Sequence, residues 1–285
     1  MENLRCSTFG GDPDLYGLGI RAAYYIQWVT IVITYCFGST QMIEAINANC
    51  IFQLAMLLGS LYKAATSESS TGEVFIVIIL GVGGGLASLT AALAEGVRGT
   101  IGSSRLAALC RLCLLAAYSA FGIWFWFVGI STLPLATCQW HVFFFSKTSI
   151  HGYFKVFSRV LLPVFLFANL LRLLHLLLGA WVNRQEIRSW FVGQESPMTW
   201  GNANNGDQHH QLIYHVLNGR YVQAAVILIA FGIFIAMVEV FLRWNSITGV
   251  NNLGSPGQLI PFVVAIASII EKCYNILVCE DIRSS

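Results

Sequence analysis

Two glutamates lie inside long apolar stretches of this chain, where a carboxyl group can do acid chemistry. Glu44 lies between Ile43 and Ala45, and Glu271 follows Ile270 and precedes Lys272. A carboxyl group kept in a dry cavity stays protonated at neutral pH, which suits a general acid. In another apolar stretch Asn169, Arg172 and His175 recur every three residues and form one polar stripe on a helix. We therefore predict Glu44, Glu271, Arg172 and His175 as catalytic residues, with the two basic side chains tuning or reloading the acid.

A second polar and aromatic set supplies candidate substrate contacts. Arg21, Tyr25 and Trp28 share one helix face, where a guanidinium can lie over a ring. The predicted substrate-binding residues are Asp14, Arg21, Tyr25, Trp28, Asn47, Asn169 and Glu239. The alternative for each of these polar residues is a clasp between helices, which contributes about 1 kcal/mol.

Several patterns resemble chemical motifs but lack the context that those motifs need. The glycine run from Gly81 to Gly85 sits in an uncharged apolar stretch, so close helix packing through these two glycines is favoured over a phosphate loop. The aromatic run from Trp124 to Phe127 is predicted to be an interfacial belt; its alternative role is to offer ring faces to a developing cation. No nucleophile elbow, Walker loop or metalloprotease motif occurs. The sequence predicts no cofactor and no metal.

The composition places these residues in a membrane protein. Of the 285 residues, 56% are apolar and 11% are charged, whereas a soluble domain has about 25% charged residues. The formal net charge of +2 provides no positive field for a phosphate backbone, which excludes nucleic acid as a partner. Segments that cross a bilayer must satisfy their backbone polar groups internally. The predicted fold is therefore an all-α, polytopic membrane bundle surrounded by lipid.

Seven apolar stretches have the length of about 20 residues that crosses the hydrocarbon core. They are Leu18 to Phe37, Met42 to Tyr62, Val74 to Leu93, Leu106 to Val128, Val156 to Val182, Tyr221 to Leu242 and Leu259 to Val278. We call the bundle end that carries the N-terminus side A and the opposite end side B. Because a helix rises about 1.5 Å per residue, the position of a residue within its span gives its depth in the membrane. Arg21 and Glu239 fall near side A. The layer towards side B holds both signs of charge, which favours chemistry there, and its members are Glu44, Arg111, Arg172, His175 and Glu271.

The connections between spans complete the predicted organisation. Residues 1–285 form a single integral membrane domain, with a polar N-terminal segment at 1–17, a polar loop at 183–218 and a tail at 279–285. Leu133 to Ser146 is too short to span and is predicted to be interfacial or re-entrant. A slight excess of Lys and Arg on side B favours a cytosolic C-terminus. Most cysteines lie in apolar stretches, so no disulfide framework is predicted.

The residues before and within the first span carry a family resemblance. The sequence D-P-D-L-Y-G-L-G-I-R from Asp12 to Arg21, followed by Y-I-Q-W from Tyr25 to Trp28, resembles the N-terminal signature of a family of fungal multi-pass membrane proteins. That family is similar to the membrane-bound terpene cyclases of fungal meroterpenoid pathways, of the ascofuranone and macrophorin type. The resemblance covers residues 12–28. It singles out Asp14, Tyr16, Gly17, Gly19, Arg21, Gln27 and Trp28. For Asp14, Gly17 and Gly19, capping and docking explain the signature without chemistry.

The resemblance implies an integral membrane terpene cyclase in fungal secondary metabolism, located in the endoplasmic reticulum or another endomembrane. Such an enzyme protonates an epoxide or terminal olefin of a lipophilic, prenylated small molecule without a metal. We expect Glu44 or Glu271 to donate that proton and aromatic side chains to line the cavity. The alternatives are a seven-helix receptor or transporter-like protein, or a non-catalytic membrane protein.

Overall fold

A computed structural model describes residues 9–37, 41–98, 105–136, 138–182 and 206–284 of the chain. Within these ranges, the side chains of 88–98, 105, 179–182, 206–218, 220 and 279–284 are not described. A short helix, α1 (Pro13–Tyr16), precedes seven long ones. These are α2 (Leu18–Phe37), α3 (Gln41–Ala65), α4 (Thr71–Arg98), α5 (Arg105–Trp124), α6 (Tyr153–Val182), α7 (Gly206–Trp244) and α8 (Pro256–Ser284). The predicted helical bundle is confirmed at this level.

Five of the long helices are long and apolar enough to cross a membrane: α3, α5 with its continuation to Thr132, α6, α7 and α8. Six of the seven predicted spans each lie within one long helix, and Leu106 to Val128 runs through α5 into the turn that continues it. In the part of α4 whose side chains are described, the apolar stretch is shorter, at Thr71–Ala87. More than half of the residues of α2 are buried by neighbouring helices.

Two segments predicted to be polar extensions are helical where the structure describes them. Residues 183–205 of the predicted 183–218 loop lie outside the described residues, but α7 already begins at Gly206. The predicted tail at 279–285 continues α8 as far as Ser284. The polar composition of these segments is compatible with a helix that extends beyond the apolar core of the bundle.

Side A is built from short strands and turns. Strand β1 (Phe9–Gly10) pairs in parallel with β4 (Ile247–Thr248), which ties the N-terminal segment to the α7–α8 connection. Strands β2 (His141–Phe143) and β3 (Lys147–Ser149) form an antiparallel hairpin. The predicted interfacial piece, Leu133 to Ser146, is therefore a set of turns that leads into this hairpin at the end of the bundle.

One cysteine on side A departs from the sequence prediction. Cys138 is disulfide-bonded, and it lies just before β2. The expectation that the chain lacks disulfides is therefore wrong at this position. The apolar-stretch argument did not apply to it, because Cys138 lies in a turn outside the predicted spans.

Helix packing leaves one flank of the bundle open. Helix α2 packs against α3, α4, α7 and α8, whereas α6 packs mainly along α5. The predicted close packing at Gly81 and Gly85 is confirmed, since a Cβ on either would meet Tyr118 or Leu115 of α5 at 2.1 and 2.6 Å. Among the described residues α6 and α7 are not packed along each other, and a cavity opens between them.

Candidate functional site

An apolar cavity of about 360 Å³ lies between α4, α6, α7 and the β2–β3 hairpin. Its size falls within the range of small-molecule sites, about 300–1,000 Å³. The lining residues are Ile78, Ile79, Val82, Trp126, Phe143, Phe144, Phe145, Phe154, Phe157, Ser158, Leu161, Leu162, Ile233, Phe234 and Met237. We call this space the aromatic cavity. Ser158 is the single lining residue with a hydrogen-bonding side chain other than the Trp126 indole.

The aromatic cavity has a buried inner wall and an open mouth. Trp126 and Phe154 are at most 4% exposed, whereas Phe157, Leu161 and Ile233 are each more than 40% exposed. The exposed side chains stand where α6 and α7 diverge. The mouth therefore opens sideways, towards the surface that a membrane helix presents to lipid.

Phenyl rings in edge or tilted contact form the side-A wall of the cavity. The Phe144 ring centroid lies 5.3 Å from that of Phe154 and 5.0 Å from that of Phe157, and Trp126 lies 5.4 Å from Phe154. These spacings are typical of favourable aromatic pairs. Asn245 fixes the hairpin that carries Phe144, because its side chain bonds both the amide and the carbonyl of His141, each at 2.8 Å.

A π-helical turn aims Trp126 into the cavity. Helix α5 widens at Phe125–Gly129 before a last helical turn, Ile130–Thr132. Such turns leave backbone carbonyls without regular helical partners and are frequent at functional sites. Arg159 of α6 donates from Nε to the Trp126 carbonyl at 2.9 Å, and its guanidinium lies 4.9 Å from the Phe127 ring centroid. The belt predicted at Trp124 to Phe127 is wrong for Phe125 and Trp126, which are both buried, whereas Phe127 is half-exposed.

The chemistry open to this cavity follows from its lining. An apolar chain is favoured by removal of its surface from water, at about 25 cal/mol per Å². The faces of Trp and Phe rings also attract positive charge. No titratable side chain lines the cavity among the described residues. The cavity can therefore bind a hydrocarbon chain and stabilise a cation, while a proton has to come from outside its lining.

The residues of the N-terminal signature form a polar clasp on side A instead of a pocket. Arg21 is fully buried. It donates from Nε to Glu239 at 2.8 Å, from Nη1 to the Tyr16 carbonyl at 2.9 Å, and from Nη2 to Asn251 Oδ1 at 3.0 Å. The Tyr25 hydroxyl donates to the same Glu239 carboxylate at 2.9 Å. Four segments of the chain meet at this guanidinium. We call the set of Arg21, Tyr16, Tyr25, Glu239 and Asn251 the Arg21 clasp.

The remaining signature residues join α1 and α2 to α8. Asp14 accepts a hydrogen bond from the Ser255 hydroxyl at 2.6 Å. A Cβ at Gly17 would lie 2.4 Å from the Gln258 side chain, and one at Gly19 would lie 2.3 Å from the Gln258 carbonyl oxygen. The docking role expected for these glycines is confirmed. The cap of α1 is Asp12 rather than Asp14, since Asp12 accepts from the first-turn amides.

A second polar group on side A was absent from the sequence prediction. Ser70 and Glu73 form a capping box at the start of α4: the Ser70 amide donates to the Glu73 carboxylate at 2.7 Å, and the Glu73 amide donates to Ser70 Oγ at 3.3 Å. The Ser-x-x-Glu spacing that signals this box is visible in the sequence. Tyr16 donates to Glu73 at 3.5 Å. Burial, and then the Glu73 charge, raise the pKa of Tyr16, so its phenol stays neutral. Asp12 forms an ion pair with Lys63.

The predicted acids lie together on side B, at the opposite end from the aromatic cavity. Lys272 Nζ donates to Glu44 and also to Glu271, the latter at 3.5 Å. The Lys272 side chain is 6% exposed, but those of Glu44 and Glu271 are 67% and 62% exposed. The expected dry carboxyl pocket is therefore wrong: both carboxylates point outward and share one ammonium group.

The basic stripe predicted on α6 does not face the acids. Asn169 is buried and donates to the Phe165 carbonyl at 2.8 Å. Arg172 and His175 are exposed. The prediction that these two side chains face the bundle interior is wrong, because α6 is covered mainly by α5 and leaves most of its surface open.

The other predicted substrate contacts are also outside the aromatic cavity. Trp28 is buried and stacks on Phe231, with ring centroids 5.1 Å apart. Asn47 lines a separate, shallower groove of about 560 Å³ between α3 and α5, together with Arg111. Glu44 precedes Asn47 by one helical turn. The structure thus separates the predicted site residues. Arg21, Tyr25 and Glu239 belong to the Arg21 clasp, Asn47 lines the α3–α5 groove, and Glu44 and Glu271 form the Lys272 cluster with Lys272. The other five belong to none of these places: Asp14, Trp28, Asn169, Arg172 and His175.

No protein-family model, curated protein or solved structure matches the chain.

Proposed function

We propose that this chain is an integral membrane terpene cyclase of seven spans, which binds the prenyl chain of a lipophilic small molecule in the aromatic cavity. The observation that carries the proposal is a ring-lined apolar cavity with a buried inner wall, whose mouth opens sideways between two membrane-length helices. A prenyl chain dissolved in the bilayer can enter by that route without crossing water. The ring faces then supply what a cyclisation needs, a surface that stabilises a carbocation.

The resemblance of the N-terminal signature to the meroterpenoid cyclases supports the same proposal. In that setting the substrate is a prenylated aromatic or its epoxide, and the compartment is the endoplasmic reticulum or another endomembrane. Among the signature residues, Tyr16 and Arg21 belong to the Arg21 clasp, and Asp14, Gly17 and Gly19 contact α8 or the residues before it. They support family kinship and do not take part in the proposed chemistry.

The identity of the proton donor is a separate part of the proposal from the binding site. A general acid has to approach the atom that it protonates to about 2.6–3.2 Å, or through one water. Glu44 and Glu271 lie at the opposite end of the bundle from the aromatic cavity and pair with Lys272. A substrate that uses Glu44 would therefore occupy the α3–α5 groove, beside Asn47, instead of the aromatic cavity.

Substitution of two leucines with nearly equal exposure tests which of the two cavities binds the substrate. Leu161, in the mouth of the aromatic cavity, is 49% exposed, and Leu54, in the α3–α5 groove, is 48% exposed. A tryptophan at either position narrows one cavity and leaves the buried core alone. We expect Leu161→Trp to weaken binding of a radiolabelled farnesylated phenol by about tenfold, equivalent to about 1.4 kcal/mol. Leu54→Trp should leave the affinity unchanged within about twofold. The reverse pattern, or no effect of either variant, contradicts the proposed site.

Turnover tests the acid. Purified protein is incubated with the farnesylated phenol or its terminal epoxide, and cyclised products are measured by mass spectrometry. Glu44→Gln and Glu271→Gln keep the side-chain size and remove the acid, while Glu68→Gln, on an exposed side-A turn, is the control. Full turnover by both variants would show that neither glutamate donates the proton. Binding without any product in the wild-type protein would refute the cyclase and leave a ligand-binding membrane protein.

A further inference from the structure

One face of α6 continues the wall of the aromatic cavity towards side B. Arg172 follows the cavity-lining residue Phe154 by 18 positions, which is about five turns at 3.6 residues per turn. His175 follows Phe157, which also lines the cavity, by the same 18 positions. Each basic residue therefore lies on the same side of the helix as the phenylalanine that it follows. Arg172 and His175 form the side-B end of a face whose side-A end lines the cavity.

Helix α7 provides a matching face across the gap. Ile233 lies in the mouth of the cavity, and further towards side B Ile229, Val226 and Val222 recur every three or four residues. This spacing places all four residues on one side of the helix. The side chains of Ile229, Val226 and Val222 are 65%, 61% and 63% exposed. Because the described parts of α6 and α7 are not packed along each other, an open space leads from the mouth towards side B. We call it the α6–α7 track.

The track is apolar near the cavity and basic at its side-B end. Arg172 lies eleven residues beyond Leu161 of the mouth, about 16 Å along the helix. Arg172 and His175 are both exposed. Helix α6 contains no Asp or Glu, and the one acid in the apolar span of α7, Glu239, accepts a hydrogen bond from Arg21 on side A. The polar end of the track is therefore suited to an anion.

We infer that the substrate is an acidic prenylated aromatic compound, whose prenyl chain occupies the aromatic cavity and whose carboxylate is bound by Arg172 and His175. The inference rests on the proposed function, because the aromatic cavity is the site for the chain. A guanidinium binds a carboxylate through two parallel hydrogen bonds, and a charge inside a membrane segment is costly without a counter-charge. In this arrangement Arg172 and His175 bind substrate and do not tune an acid.

The position of the two basic residues favours one molecule that spans the whole track. The basic end and the cavity lie on one face of α6, so a chain that enters through the mouth leaves its head group pointing along the track towards side B. A membrane lipid held only by its head group would not require this alignment with the cavity. The anionic group is therefore assigned to the substrate, and a lipid head group is an outcome of the test.

Two radiolabelled probes with the same chain separate the head group from the tail: farnesylated hydroxybenzoic acid and its methyl ester. Binding to the purified full chain in micelles is measured at neutral pH, at which the carboxyl group is ionised. We expect the wild type to bind the acid about tenfold more tightly than the ester. Arg172→Met should reduce this ratio to less than about twofold and leave the affinity for the ester unchanged, which also shows that the variant is folded. Arg172→Lys should keep part of the preference. The control, Arg243→Met on side A, should keep all of it.

The outcomes distinguish the inference from the proposed function. Equal affinity for acid and ester in the wild type, with Leu161→Trp still weakening both, overturns the inference alone. A preference for the acid that persists in Arg172→Met does the same. If neither probe binds, or if Leu161→Trp affects neither, the proposed binding site fails and the inference fails with it. Displacement of the acid by an excess of phosphatidylserine, but not by phosphatidylcholine, would show that the basic end holds a lipid head group and would overturn its assignment to the substrate.

Discussion

The Arg21 clasp gives the most quantitative prediction. Arg21 is 1% exposed in its side chain and its partner Glu239 is 41% exposed. We consider Arg21→Met, which keeps the length and packing of the side chain, Glu239→Gln, which keeps an acceptor oxygen, and the double variant. Arg243→Met, at an exposed position at the end of α7, is the control.

The expected change in the free energy of unfolding depends on which polar group each variant leaves without a partner. Removing one member of a buried ion pair costs about 3–5 kcal/mol. Arg21→Met should fall at the lower end, about 3 kcal/mol, because water reaches the partly exposed Glu239 carboxylate. Glu239→Gln should cost about 1–2 kcal/mol, since the guanidinium keeps the Tyr16 carbonyl and Asn251. Residues in direct contact are coupled, so the double variant should cost less than the sum of the single variants by about 1–2 kcal/mol.

The assay is reversible unfolding in mixed detergent micelles, followed by tryptophan fluorescence and by far-ultraviolet circular dichroism. The control should change the free energy of unfolding by less than about 0.5 kcal/mol. The assignment of the clasp is wrong if the losses in free energy of unfolding of the two single variants sum to that of the double variant within about 0.5 kcal/mol. It is also wrong if Arg21→Met lowers that free energy no more than the control does.

Three further predictions test separate parts of the structure. Gly19→Ala should lower the free energy of unfolding by about 1–3 kcal/mol, because its Cβ would strike the α8 backbone, whereas Gly232→Ala, with open space around it, should be neutral or stabilising. Arg159→Gln should weaken binding of the farnesylated phenol by about threefold to tenfold, since the carbonyl of Trp126 loses its ionic donor; unchanged affinity would separate the π-helical turn from the site. Lys272→Met should cost less than about 1 kcal/mol in the same unfolding assay, because both carboxylates that it contacts are exposed.

The long helices could be predicted from sequence because their signal is local. Runs of apolar residues mark the seven helices, and the bounds predicted for the first, Leu18 to Phe37, coincide with α2. The resemblance to the terpene cyclases stays a prediction, because a helical bundle does not specify a function.

Helix rotation was the point at which prediction failed. A soluble helix shows its buried face by the polarity of the opposite one. Outside its few polar residues α6 is apolar around its circumference, so the stripe of Arg172 and His175 did not reveal whether it faces the bundle interior. A similar ambiguity affected Glu44, whose charge is satisfied by Lys272 at the bundle surface. A charged residue inside a span therefore predicted the depth of that residue in the membrane, but not whether its side chain faces the bundle interior or the lipid.

The aromatic cavity could not be predicted because its lining comes from segments that are far apart in the sequence. Trp126 and Phe127 are neighbours in an aromatic run that is typical of an interfacial belt, yet Trp126 is buried and Phe127 is half-exposed. The hairpin that closes side A likewise depends on Asn245, more than 100 residues away from His141. By contrast, the capping box at Ser70 and Glu73 was predictable, since its spacing is local.

The separation of Arg21 and Glu239 along the chain has a consequence for biogenesis. The two residues are 218 positions apart, and at about 5–20 residues per second the ribosome needs about 10–45 s to reach Glu239 after it has made Arg21. During that interval the first long helix carries a guanidinium without its counter-charge, a state that hydrocarbon disfavours. Its final docking is therefore post-insertional, completed when α7 and α8 arrive, and the N-terminal residues of this chain are among the last to reach their native contacts.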